Sequence, residues 1–202
     1  PSLRQSATNT RRHTSSKPNV QQVSKHPKAE GELPKVREVY VPHHPDAVIV
    51  SVDEAAQELR IIADYSRDEN MLSCFIGDNK KDMHSLTGSG IIVTWGEEFG
   101  GWSYEVFIEA LHAGNKQAKE ARRLGKLVNF GSEFGAQAPK LAEMLIIPEE
   151  EAQLYLDAKM AAFPQAASWK QEVEEEVKHT GIVRTKGGAV RHLAEALMSD
   201  DR

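Results

Sequence analysis

The first 35 residues show almost no periodic arrangement of apolar positions. They are rich in Ser, Thr, Asn, Gln, Lys and Pro, a composition typical of irregular, extended backbone. Two runs rich in β-branched residues follow at 36–41 and 47–52, with a Pro-bounded connection between them. This pattern predicts two strands. The second run is apolar at every position except Ser51, as expected of a buried central strand.

Helical spacing of apolar residues begins directly after the second predicted strand, where Leu59, Ile62 and Ala63 recur at intervals of three and four. The predicted helices cover residues 54–65, 69–76, 82–90, 103–113, 116–134, 138–146, 149–162 and 165–179. A short strand at 182–185 and a glycine turn follow. The predicted fold class is therefore α+β and mostly helical, with a short two-stranded segment followed by a helical lobe.

Composition narrows the class of protein. The 202 residues include no apolar run long enough to span a bilayer, and the first thirty lack the apolar core of a signal peptide. With Cys74 as its single cysteine, the chain has no internal disulfide, and we expect a cytoplasmic protein without a membrane partner. The chain begins at Pro1 and not at Met, so we interpret it as an excerpt of a larger protein.

The net charge of −5 averages segments of opposite sign. Residues 1–30 carry six basic residues against one acidic residue, and residues 110–140 carry six against two. Such segments present basic surface to a polyanion, although a run of charges is more often only a solvated face.

Asp53 lies at the junction between the second predicted strand and the first predicted helix. A carboxylate fixed at the end of a strand is well placed to hold Mg²⁺, which prefers oxygen ligands. An Asp just before a helix is equally well explained as an N-cap.

The helix predicted at 116–134 carries Arg122, Lys126, Phe130 and Phe134 at intervals of four, which places them in one stripe. The stripe runs from two cations to two aromatic rings, the same layout as the phosphates and base of a nucleoside triphosphate. The alternative is a helix whose aromatic residues face the core while its cations lie in solvent. Three glycines, Gly125, Gly131 and Gly135, are costly inside a helix. They indicate either that another element packs close to this backbone or that the helix ends around Gly131 to Gly135.

His84, near two lysines, is a candidate phosphate ligand, although a surface histidine is the commoner interpretation. His43 and His44 are a weak candidate metal site. No Gly-rich phosphate loop, nucleophile elbow or zinc-protease motif is present in the sequence.

Taken together, these motifs resemble the polymerase core of the family A DNA polymerases, of a phage-like type. Asp53, followed by Glu58-Leu59-Arg60, is similar to the family's first palm motif. The segment from Arg122 to Gly135 resembles the fingers motif, and Asp82-Met83-His84 resembles the Asp-x-His of the fingers. The segments 10–21 and 181–191 resemble, respectively, the stretch along the primer-template minor groove and the return to the palm.

The resemblance implies a role for each matching residue. It implies Asp53 as a catalytic residue and ligand of two Mg²⁺ ions, and Glu58 as the side chain that excludes a ribose 2′-hydroxyl. It further implies that the dNTP is bound by Arg122, Lys126 and His84 at the triphosphate and by Phe130 and Phe134 at the sugar and base, with Lys126 also catalytic. Primer-template DNA would be contacted by Arg12, Asn19, Gln21 and Arg191.

The sequence departs from the family pattern at three points. Glu54 and Ala55 replace the usual Tyr-Ser, Phe134 replaces a Tyr, and the second palm motif has no match. We therefore expect a fragment with a partial palm at 1–65, fingers at 66–180 and a truncated return at 181–202, without thumb or exonuclease. Such a fragment is expected to be inactive alone. The alternative function is a non-catalytic nucleic-acid-binding module.

Overall fold

The computed structural model describes residues 2–4, 13–17, 19, 21, 40–96 and 102–193. The chain divides into two compact units, Pro1–Glu54 and Ala55–Arg202.

The first unit contains a small antiparallel ladder. Strands β1 (Ser2–Arg4) and β2 (Thr14–Ser16) pair with Leu3 opposite Ser15. The predicted irregular backbone over residues 1–35 is therefore wrong at these six positions. Backbone hydrogen bonds hold such three-residue strands, so they need no alternation of apolar and polar side chains that a sequence pattern could reveal.

The predicted strand at 47–52 is also wrong, because this segment is irregular and its apolar side chains are exposed. Val50 and Val52, for example, are 76% and 85% exposed. A strand requires a partner for its backbone groups, and no other described segment pairs with this one. Of the strand predicted at 36–41, residues 36–39 lie outside the described residues, and Tyr40 and Val41 are not in a strand.

The second unit is built from eight helices within the described residues. Their bounds are α1 (Gln57–Ser66), α2 (Glu69–Ser73), α3 (Met83–Val93), α4 (Tyr104–His112), α5 (Lys116–Glu133), α6 (Ala138–Leu145), α7 (Glu149–Ala162) and α8 (Pro164–Thr180). Every predicted helix is present, and the fold class is confirmed. Among the described residues, no helix is both long enough and apolar enough to cross a membrane.

Helix α1 begins three residues later than predicted. Its N-cap is Ala56, which has a left-handed backbone with φ of 55° and offers no side-chain hydrogen bond. Asp53 therefore does not cap this helix, and the N-cap interpretation of this residue is wrong.

A two-stranded ladder follows the last helix. Strand β3 (Ile182–Arg184) pairs antiparallel with β4 (Val190–His192), and Gly188, with φ of 82°, lies in the turn between them. The predicted strand at 182–185 and its glycine turn are confirmed.

The main core of the second unit lies between α3, α4, α5, α6 and α7. Its fully buried side chains include Ile91, Phe107, Val128 and Leu141. A smaller cluster joins α1 and α2 to the start of α3 and to Phe163.

Asp68 ties two helix starts together. This fully buried side chain caps α2 by accepting from the backbone N–H of Met71 at 2.9 Å. Its second oxygen accepts from Gln165 and Ala166 in the first turn of α8, at 2.9 and 3.1 Å. One carboxylate thus satisfies N–H groups of two helices that would otherwise lack partners.

Helices α3 and α5 cross with their backbones in close contact. A Cβ placed on Gly125 of α5 would lie 2.5 Å from the carbonyl oxygen of His84 and 3.0 Å from the amide nitrogen of Gly88. A Cβ on Gly88 of α3 would in turn lie 3.1 Å from the carbonyl oxygen of Ala121. A Cβ at Gly125 would overlap backbone, and one at Gly88 would push its neighbours apart by a few tenths of an ångström. The close approach predicted from the glycines of α5 is therefore confirmed at Gly125. The predicted helix end is confirmed as well, because α5 ends at Glu133.

The Gly125→Ala substitution should lower the free energy of unfolding by about 1 to 3 kcal/mol, because the added methyl group meets backbone atoms that cannot turn away. Gly131→Ala in the same helix is the matched control. There the nearest atom is Leu141 Cδ1 at 3.5 Å, an ordinary contact, so better helix propensity should raise stability by up to about 1 kcal/mol. Urea unfolding of both variants checks this; equal effects of the same sign would contradict the close crossing.

Candidate functional site

The crossing of α3 and α5 brings together most of the predicted nucleotide-binding residues. The first turn of α3 carries His84, and α5 carries Arg122, Lys126 and Phe130. The buried side of α5 consists mainly of small and aliphatic residues such as Ala121 and Val128. The opposite side is therefore left for charged and aromatic groups.

Asp82 organises the cationic end of this site. It caps α3 by accepting from the Ser85 backbone N–H at 3.0 Å and from the Ser85 hydroxyl at 2.5 Å. Arg122 donates to the same carboxylate from Nε at 2.8 Å and from Nη2 at 3.3 Å. The guanidinium is therefore held in a two-point contact, while Nη1 has no hydrogen-bond partner among the described residues.

The pKa of Asp82 reflects these contacts. Burial raises the pKa, but hydrogen bonds from Ser85 and Arg122 and the charge of Arg122 outweigh burial and bring it below the ordinary value of 3.8. The carboxylate is therefore ionised at neutral pH and keeps its hold on Arg122.

His84 is half-buried between two residues of α5. The Asn129 amide nitrogen lies 3.2 Å from its Nδ1, and the Phe130 ring lies 5.8 Å away, centroid to centroid. Burial lowers the pKa of His84 below 6.5, opposed by the charge of Asp82 and assisted by those of Arg122 and Lys126. The ring is therefore mostly neutral at physiological pH.

The aromatic residues of the stripe are exposed. Phe130 is 42% exposed and Phe134, at the C-cap of α5, is 71% exposed. The alternative in which these rings form the core is wrong, because Ala118, Leu124 and Val128 occupy that face of the helix. Both rings border a shallow cavity of about 360 Å³ between α5 and α6 that Lys140 and Met144 also line. A flat apolar group fits such a surface.

Asp53 and Glu58 belong to different units. Asp53 is exposed, and among the described residues its carboxylate has no hydrogen-bond or ion-pair partner. Glu58 is exposed in the first turn of α1. Within the part of the chain that the structure describes, no three His, Cys, Asp or Glu side chains form a metal-binding group, and this includes His43 and His44.

Two of the predicted DNA-binding residues belong to a local hydrogen-bond network. Asn19 Oδ1 accepts from the Ser15 hydroxyl at 2.8 Å and from the Gln21 backbone N–H at 3.1 Å, and the Gln21 side chain donates to the His13 carbonyl. Both bonds to Asn19 end on its amide oxygen, so the N–H groups of the same amide stay exposed. Arg191 is exposed on β4. Arg12 lies outside the described residues.

Sequence reasoning missed the contributions of Thr87 and Asn129. Both side chains are fully buried, and the Thr87 hydroxyl donates to Asn129 Oδ1 at 2.8 Å. The available signal was the position of Asn129, four residues after Gly125 and therefore on the same buried face of α5.

The whole chain matches the sequence model of a known family. Residues 1–202 match DNA polymerase family A, and the chain therefore belongs to that family, as its motifs predicted. It is 30% identical over 191 residues to the thermostable DNA polymerase I of Thermus aquaticus, covering 95% of this chain and 20% of that protein. It is 28% identical over 192 residues to DNA polymerase I of Bacillus subtilis strain 168, covering 95% of this chain and 19% of that protein. The chain thus spans about a fifth of the length of these curated relatives.

The fold is similar to that of a solved polymerase domain. The POL domain of Pol1 from M. smegmatis, in complex with DNA primer-template and dNTP, superimposes with a TM-score of 0.65 and 24% sequence identity. The match covers 99% of this chain and 31% of that one. This likeness supports the fold class.

Asp82→Asn tests the organising role of the carboxylate. The pKa of Asp82 is lower in the folded chain than its ordinary value of 3.8, so its stabilising contribution is complete above that pH and is lost as the pH falls through the folded pKa. We expect the variant to be less stable than the wild type at neutral pH, with a smaller difference below pH 3.8, in urea unfolding at both conditions.

The control for this prediction is Glu143→Gln, which removes an exposed ion pair with Lys140 on the surface of α6. Solvent screens such pairs, so little change is expected at either pH. A loss in Asp82→Asn no larger than that in the control would contradict the organising role.

Proposed function

We propose that this chain is part of a DNA-directed DNA polymerase core and binds the incoming dNTP at the crossing of α3 and α5. The observation that carries this proposal is the contiguous surface in which Arg122, Lys126 and His84 lie beside the exposed ring of Phe130. A guanidinium held by Asp82, an exposed lysine and an imidazole suit the triphosphate, and the ring suits the sugar and base.

The ion pair with Asp82 supports the role of Arg122. A guanidinium fixed on one edge by a carboxylate loses less side-chain freedom when it binds phosphate. Nη1 keeps donors that face no described partner. Exposed Lys126, four residues along α5, adds a mobile point charge.

Glu58 is proposed to exclude a ribose 2′-hydroxyl, so that deoxynucleotides are preferred. Phe134 lacks the phenol of the family's Tyr, so Glu58 receives no hydrogen bond from that position in the stripe. The proposal rests on the match of Glu58 to the motif and on its exposed position in the first turn of α1.

The Mg²⁺ requirement fits the described residues only in part. Mg²⁺ commonly takes one or two protein carboxylates and completes its coordination with water and substrate phosphates. Asp53 supplies one such carboxylate and is the proposed ligand of both ions, and Glu54 follows it in the sequence. Charge on the phosphoryl group transferred to the primer 3′-hydroxyl would be neutralised by the two ions when they are bound. The described residues provide no cluster of three ligands for such a pair.

Primer-template DNA is the proposed second partner. Asn19 presents amide N–H groups, which suit the acceptor atoms of the minor groove, and Arg191 is exposed for phosphate contact. Arg12 is included by its position in the motif alone. A non-catalytic nucleic-acid-binding module remains the second candidate, and the exposed lysines of α5 favour it.

Lys126→Ala should weaken dNTP binding about 10- to 100-fold, the range expected for a lost charge-assisted contact to phosphate. Lys116→Ala, which removes an exposed cation from the first turn of the same helix, is the control and should leave affinity nearly unchanged. Calorimetric titration with Mg²⁺-dNTP measures both. Equal affinities of the two variants, or DNA binding that depends on salt but ignores nucleotide, would favour the nucleic-acid-binding module.

The 202-residue chain alone should bind primer-template DNA in a salt-dependent manner and fail to extend the primer, because Asp53 leaves a second metal position poorly neutralised. Primer extension with Mg²⁺ and with Mn²⁺, beside a binding titration at two salt concentrations, measures both properties. Robust extension would show that these residues contain a complete metal site.

A further inference from the structure

Four polar groups meet where α3 and α5 cross. The hydroxyl of Thr87 lies 2.8 Å from Asn129 Oδ1, and Asn129 Nδ2 lies 3.4 Å from the Met83 carbonyl oxygen and 3.2 Å from His84 Nδ1. Thr87 and Asn129 are both fully buried. A buried amide is costly unless its donors and acceptor are used, and here all of them have partners.

The partners determine which way the amide faces. The Met83 carbonyl can only accept, so the nitrogen of Asn129 must lie on that side and the Thr87 hydroxyl must donate to Oδ1. The second N–H of the amide then meets His84 Nδ1, which has to accept. A neutral imidazole has one donor and one acceptor nitrogen, so its proton is on Nε2.

We propose that Asn129 is a positioning residue that holds His84 as the neutral imidazole with its proton on Nε2, and that Thr87 orients Asn129 for this task. The inference deepens the proposed function and rests on it, because it gives His84 a directed N–H donor for a phosphate oxygen. Among the described residues, Nε2 has no hydrogen-bond partner, so this donor is available.

Most of the groups around His84 also favour a neutral ring with its proton on Nε2. A proton on Nδ1 would face the amide N–H of Asn129, which places two donors against each other. Burial opposes a positive charge on the ring, Asp82 at the start of α3 favours one, and Arg122 and Lys126 on α5 oppose one. The proposed arrangement therefore offers the triphosphate a donor that does not require protonation of the ring.

Nitrogen NMR of the histidine rings in the nucleotide-free chain tests this directly, with His84→Gln identifying the signal by its loss. The wild type should show an unprotonated Nδ1 and a protonated Nε2 at neutral pH. In Asn129→Asp, whose carboxylate only accepts, the proton should move to Nδ1 and the midpoint of the ring titration should shift upward. A folded Asn129→Asp variant with unchanged ring signals, or a wild-type proton on Nδ1, would overturn the proposal.

A second pair of variants keeps the test decisive if Asn129→Asp does not fold. Thr87→Val removes the hydroxyl with little change of shape, so the Asn129 amide loses the donor that orients its oxygen. The His84 proton should then be shared between Nδ1 and Nε2, and dNTP affinity should fall about 2- to 10-fold. Thr87→Ser should restore the wild-type signals. Thr94→Val removes a hydroxyl from the end of the same helix, where its partner among the described residues is the Ile91 carbonyl, and should change neither readout. An unaltered tautomer in folded Thr87→Val would overturn the orienting role.

Nucleotide binding is examined separately by adding Mg²⁺-dNTP to the same sample. Movement of the Nε2 signal, with Nδ1 still unprotonated, supports the directed donor. If the nucleotide leaves the Nε2 signal in place, the proposed function fails, while the tautomer observed in the free chain still establishes the role of Asn129.

Discussion

The close approach of two helix backbones is the constraint on which the site depends. A side chain at Gly125 would overlap the carbonyl oxygen of His84, and one at Gly88 would crowd α5 and Phe107. Only at this separation can Asn129 of α5 reach both Met83 and His84 of α3. The two glycines therefore weaken the intrinsic propensity of each helix, and the contacts made possible between the helices compensate for that loss.

The charged groups on this crossing are arranged by one carboxylate. Asp82 caps α3 and holds Arg122 of α5, so it joins the two helices at the edge where the cations lie. Asp68 has a similar role elsewhere, because it caps α2 and accepts hydrogen bonds from backbone N–H groups of α8. In both places an acidic side chain at a helix start also contacts a second helix. Cap and tertiary contact therefore stabilise each other, and the carboxylate oxygens of both residues have hydrogen-bond partners.

The helices could be predicted closely from the sequence because their signals are local. Apolar spacing, the prolines at the starts of α7 and α8, and the glycine after α8 all act within a few residues. The strand at 47–52 was predicted wrongly for the complementary reason. Its β-branched residues favour extended backbone. A strand, however, forms only where another segment supplies hydrogen-bond partners for its backbone, and local sequence does not specify that segment.

The order of motifs along the chain was enough to indicate the family, and the intervals of four in α5 placed Arg122, Lys126 and Phe130 on one side of a helix. Both follow from the order and spacing of residues along the chain, so the sequence by itself determined them. Only the tertiary structure decided that Phe130 is exposed, that Arg122 is held by Asp82, and that buried Asn129 meets His84. Those contacts join residues some 40 positions apart, and no local preference specifies which helix packs against which, or how closely.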